Sequence, residues 1–87
     1  GRRMNYLVLY DDEGYVRIDA ENLRDCIIKF ADYVGATTDL FLKALKGCNT
    51  PTDYIKMYEH FSRYNINAIL LIQQVIYDAE VDENDTK

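Results

Sequence analysis

Tryptophan is absent from this chain of 87 residues, histidine occurs once, cysteine twice, and a single proline stands beside four glycines. Each scarcity removes a class of function. Cys26 and Cys48 form no CxxC pair, so neither a disulfide framework nor a paired-ligand zinc site can be built, and the chain reads as suited to a reducing cytosol. With His60 they could offer at most three ligands from separate segments, so no metal and no cofactor are expected. Catalysis needs a nucleophile, a base and an orienting group together; Cys48 with His60 is the one pair that could be tried, no local signature accompanies it, and an enzyme is not expected. No GxGxxG or P-loop pattern occurs, because the glycines fall at residue 1, in a turn at Gly14, and at two helix ends, Gly35 and Gly47. No apolar run approaches the roughly 20 residues of a membrane-crossing helix, so no membrane partner is expected. Positive charge is also short. Ten Lys and Arg face fifteen Asp and Glu, a net charge of −5. That balance disfavours direct contact with nucleic acid and leaves two uses for the acids, solubility or attraction to a basic partner.

What is present suffices for one modest core. A chain of this length makes a single domain, and 48% apolar with 13% aromatic residues is a globular composition. Met4 reads as a natural start with no signal peptide after it, so residues 1–3 are expected to be a cloning remnant, residues 4–77 the domain, and residues 78–87, with five acids and little to bury, a flexible acidic tail.

The most apolar stretch is residues 66–77, INAILLIQQVIY, and the rest of the chain looks arranged to cover it. Four apolar residues in a row, Ile69 to Ile72, mean cover on more than one side, which periodicity alone cannot resolve into helix or strand. The β-branched Ile66, Ile69, Ile72, Val75 and Ile76 favour a strand; a buried helix, giving a hairpin plus four helices, is the alternative. Upstream, residues 4–10 alternate with Leu7 and Leu9 on one face and Tyr6, Val8 and Tyr10 on the other. After the turn Asp11-Asp12-Glu13-Gly14, residues 15–19 alternate again, which predicts a β-hairpin with Gly14 free for positive φ. Asp19 is the expected cap of a first helix with Leu23, Cys26, Ile27, Phe30 and Val34 on its apolar face, ended by Gly35. Thr37 or Thr38 caps a second helix, and Thr50-Pro51-Thr52-Asp53 starts a third. The fold class is therefore α+β: an antiparallel hairpin, three helices and a C-terminal apolar strand, β-β-α-α-α-β, in sheet order 2-1-3. The helices are expected over the Leu7 and Leu9 face.

Eight tyrosines are the unusual feature. Their amphipathic rings suit a half-wet core edge or a protein interface. With the helices placed as above, Tyr6, Val8, Tyr10 and Tyr15 form an uncovered patch flanked by Arg17 and by Asp11, Asp12 and Glu13. The candidate partner-binding residues are thus Tyr6, Tyr10, Asp11, Asp12, Glu13, Tyr15 and Arg17.

In size, acidity and richness in Tyr, Ile, Asn and Asp, the chain resembles small early proteins of phages and mobile elements of low-GC bacteria, a group that includes anti-CRISPR and other host-defence inhibitors. The resemblance is compositional, covers the whole chain and carries no residue across. It implies a stoichiometric, non-enzymatic inhibitor of a basic or nucleic-acid-handling host complex, acting in the host cytoplasm, some of the group presenting carboxylates where a target expects phosphates. In the topology above, the Asp11 to Glu13 cluster and the tail acids fall at opposite ends of the sheet. The alternative is a small structural or regulatory protein whose tyrosine face pairs with its own copy as a homodimer.

Overall fold

The computed structural model describes residues 3–71 and 74–81. β1 (Met4–Tyr10) and β2 (Gly14–Ala20) form an antiparallel hairpin paired from Met4 with Ala20 to Tyr10 with Gly14. Three helices follow, α1 (Leu23–Tyr33), α2 (Asp39–Leu45) and α3 (Pro51–Phe61), and then β3 (Ile66–Leu71) and β4 (Gln74–Asp78). All four strands make one antiparallel sheet in the order β2-β1-β3-β4. The chain is an α+β domain with its C-terminal apolar run as strand beside β1, as the sequence predicts.

The run differs from expectation in being two strands. Leu71 and Gln74 are Cα partners, so β3 and β4 form a second hairpin; Ile72 and Gln73 lie outside the described residues. Twelve extended residues would reach about 40 Å, whereas the seven of β1 offer about 23 Å of hydrogen-bonding edge. Folding the excess back pairs backbone groups that a single strand would leave without partners. The packed unit accordingly runs past Tyr77. Asp78 closes β4, residues 79–81 form one helical turn, and Ala79 packs against the core. Residues 82–87 of the expected tail lie outside the described residues.

Each helix begins at a side-chain cap. Asn22, not Asp19, caps α1, its side chain accepting from the Asp25 N–H, because β2 continues through the fully buried Ala20. Thr38 caps α2 through the Phe41 N–H. Thr50 and Asp53 form a reciprocal capping box at α3, with Pro51 at its first turn. Gly35 at φ +78 ends α1, letting the Ala36 N–H reach back to the Ala31 carbonyl at 2.7 Å.

All three helices pack on the same side of the sheet, and that side is the tyrosine face. Tyr6 is 4% exposed and Val8 fully buried, while the Tyr10 ring lies 5.1 Å from that of Phe30 in α1. The expected cover over Leu7 and Leu9 is therefore reversed: these two point to the opposite face and stay half-exposed. The physical reason is size. The rings of Tyr6 and Tyr10 fill the space between a sheet and helices that present Ile27, Phe30, Phe41, Leu45, Ile55 and Tyr58, all buried. Leucines alone would leave voids there.

Gly14 also has a different role from the one its turn position suggests. It sits within β2, and the left-handed residues are Asp11 (φ 49) and Asp12 (φ 65). Opposite Gly14 lies Tyr10, whose ring atoms would stand 2.6–2.9 Å from any Cβ at position 14. Because that ring is wedged against Phe30 and Tyr33, it cannot swing away freely. Gly14→Ala should cost about 1–3 kcal/mol through overpacking, read as a lower urea midpoint with an unchanged slope.

A second expected outcome concerns alkaline pH. Burial pushes the Tyr58 phenol up to about 12 from 10.0, its hydrogen bond from Ser62 Oγ opposing the shift. A phenol whose folded pKa is raised contributes fully below pH 10 and loses that contribution as pH rises towards 12. Wild-type stability should fall across that window, and Tyr58→Phe should flatten the fall when unfolding is followed by circular dichroism.

Candidate functional site

The hairpin turn is held in a conformation that two consecutive L-residues adopt at a cost, and Asn65 and Asn67 hold it there. The Asp11 N–H donates to the Asn65 carbonyl at 2.9 Å, and the Asn65 N–H donates back to Asp11 Oδ1 at 3.0 Å. The Asp12 N–H donates to Asn67 Oδ1 at 2.8 Å, and Asn67 Nδ2 to Asp12 Oδ1 at 3.4 Å. Asn67 can reach because it is the extra residue of a bulge: Leu9 pairs with Ala68 and Tyr10 with Ile66, leaving Asn67 without a register partner on β1. The three acids of the turn are thereby presented, exposed, on a fixed backbone.

β4 brings further acids to the same place. Running antiparallel to β3, it ends beside the start of β3, so Asp78 pairs with Ala68 at the end of the sheet that carries the turn. A cleft of about 270 Å³ lined by Leu9, Asn67, Ala68 and Ala79 gathers the carboxylates of Asp12, Asp78 and Glu80. The expectation that turn and tail acids lie at opposite ends of the sheet is overturned as far as Glu80, because it assumed one long strand where there is a hairpin.

On the helix side of the turn stands an aromatic group. Tyr33 (59% exposed) and Tyr64 (42% exposed) meet the Tyr10 ring edge-on at 6.3 and 6.4 Å. A hydrogen bond with Tyr33, then burial, pushes the Tyr10 phenol above its usual range. Of the residues named from sequence, Asp11, Asp12 and Glu13 come together at this end. Tyr10 lies beneath them as the inner ring of the aromatic group, and Tyr6 is in the core, its phenol pushed up by burial. Tyr15 (72% exposed) and Arg17 lie on the outer face, opposite the helices. Sequence reasoning missed Tyr33, Tyr64, Asp78 and Glu80. The Gln73-Gln74 pair was the signal for the second hairpin, being the polar break in the middle of the run.

Cys48 and His60 line one cleft of about 290 Å³ between α2 and α3, with Asp53, Lys56 and Met57. Burial, then the Asp53 charge, pushes the Cys48 thiol up, and the thiol donates to the Ala44 and Asp53 carbonyls. That is the opposite of what an attacking thiolate requires. Burial drives Cys26 further, up to about 12. Among the described residues no group of three or more His, Cys, Asp or Glu side chains is placed to hold a metal ion, and no helix is long and apolar enough to cross a membrane.

The geometry defines an α+β domain with helices on one face of its sheet and an acidic, aromatic-edged end. No family model matches the chain, and no curated protein or solved structure is significantly similar to it.

Asn67→Ala removes a side chain that satisfies the Asp12 N–H, whereas Asn65 uses only its backbone. Asn67→Ala should therefore cost about 1 kcal/mol and speed exchange of the Asp12 amide, and Asn65→Ala should do neither. Two-dimensional NMR after transfer to heavy water reads both.

Proposed function

We propose that the protein is a non-enzymatic binding module, a phage-type stoichiometric inhibitor of a basic or nucleic-acid-handling host complex, acting in the host cytoplasm in the manner of anti-CRISPR proteins. The observation that carries this reading is the convergence of Asp11, Asp12, Glu13, Asp78 and Glu80 on one end of the sheet in a chain of net charge −5. Carboxylates on a backbone pinned by Asn65 and Asn67 lose little freedom when bound. Tyr33 and Tyr64 beside them offer ring faces to arginine and lysine side chains. Such a surface attracts a cationic groove that otherwise takes phosphates, and steers it at long range. Direct nucleic-acid binding is disfavoured by the same charge.

The test is retention of host proteins from a bacterial lysate at about 50 mM and about 500 mM salt, a range across which electrostatic steering is screened. The expected outcome is a defined basic protein held at low salt, lost at high salt, and lost at both when Asp12, Glu13, Asp78 and Glu80 are changed to their amides. Nothing enriched at either salt, or retention indifferent to the amide variant, contradicts the reading.

A further inference from the structure

The outer face of the sheet has an orderly pattern that the acidic end does not explain. Register places Arg17, Leu7, Leu70 and Val75 in one row across the four strands, and Tyr15, Leu9, Ala68 and Asp78 in the next. Among the described residues α1, α2 and α3 lie on the other side, and the turn at residues 79–81 borders these rows at Leu9 and Ala68. Val75 is 54% and Tyr15 72% exposed, Leu7, Leu9 and Leu70 are half-exposed, and Ala68 is 9% exposed.

We propose that this face docks a second copy of the chain, the two sheets packed face to face about a two-fold axis that runs across the strands. Such an axis, passing between the two rows, exchanges them. Arg17 then stands over the Tyr15 ring of the second copy, a cation–π pair made twice. Leu7 meets Leu9 of the second copy, and Leu70 stands over Ala68, where the outer face is hollowed into the cleft of about 270 Å³. Large over small is how two aligned sheets interdigitate. Charge selects the axis. An axis along the strands would bring both acidic turns together, whereas the axis across them sends the turns to opposite poles of the dimer. The same exchange sets Val75 over Asp78 of the second copy, so Arg17 lies at one edge of the contact and Asp78 at the other. The size fits a weak, reversible contact: four strands of five to seven residues cover at most about 19 by 23 Å, a footprint below that of standard stable interfaces. The dimer would display the two Asp11 to Glu13 turns, facing apart, while the cleft beside Ala68 and Asp78 lies within the contact, so a second copy and a basic partner would compete for it.

Sedimentation velocity at about 1 µM and about 200 µM, a span wide enough to cross a micromolar dissociation constant, is the first measurement. The expected result is a shift from a 10.2 kDa monomer towards twice that mass. Tyr15→Glu and Val75→Glu, at sites exposed enough to leave folding intact, should each weaken the dimer at least tenfold, and Leu40→Glu, 70% exposed on α2, should not. The second measurement mixes Tyr15→Cys with Arg17→Cys under mild oxidation; Cys26 and Cys48 are both buried. A cross-link that forms mainly between the two different variants supports the axis. A monomer at every concentration, or a dimer indifferent to Val75→Glu and Tyr15→Glu, overturns the proposal. Cross-links that form mainly within each variant alone overturn the axis.

Discussion

The Tyr10 ring decides which side of the sheet is the inside. It lies over Gly14 in the neighbouring strand, where any Cβ would meet it at 2.6–2.9 Å, and against Phe30 at 5.1 Å. From Phe30 the ring packing continues to Tyr58 at 5.6 Å, then to Phe41 at 6.4 Å and Phe61 at 5.5 Å, so one chain of aromatic contacts ties β1 to all three helices. With Tyr10 inward, strand alternation carries Tyr6 and Val8 inward, and Leu7 and Leu9 out. A glycine opposite a tyrosine is the means by which a bulky ring lies close to the sheet.

One-sided cover has consequences at the sheet's margins. α1 blunts the β2 edge, since Lys29 Nζ donates to the Asp19 carbonyl at 2.8 Å while holding Asp25 at 3.4 Å. The Glu21 N–H, with Lys29 beside it, keeps the Asp25 carboxyl below its usual range. The bulge at Asn67 and that between Ile69 and Leu70 twist the β3 pairings, and the first of them aims the side chain that fixes the turn. Pairing irregularity and acidic display are thus the same feature seen from two sides. The face away from the helices is left with an apolar centre that a monomer keeps in water at a cost.

How far sequence could see follows from particular residues. The hairpin, the second and third helix starts, and the placement of the apolar run beside β1 were legible, because turn chemistry, caps and β-branched residues all agree there. The facing of β1 was not: Leu7 and Leu9 are as apolar as Tyr6, Val8 and Tyr10, so a period of two fixes the sets without choosing between them. The choice came from Phe30 and Tyr58, contacts distant in sequence. Asp19 and Asn22 are both fair caps, and burial of Ala20 in β2 selected the later one. The second hairpin was hidden because Val75, Ile76 and Tyr77 continue the apolar character of Ile69 to Leu71, and with it the acidic end was misplaced.

The central claim is that the tyrosine side of β1, and not the leucine side, faces the helices. Nuclear Overhauser contacts from the Phe30 ring test it at a single position, whether or not two copies associate. The account predicts strong cross-peaks from Phe30 to the Tyr10 and Tyr58 rings, and none to the methyl groups of Leu7 or Leu9. Cross-peaks from Phe30 to the Leu7 or Leu9 methyls, with Tyr10 silent, would contradict it and return the outer face to the tyrosines.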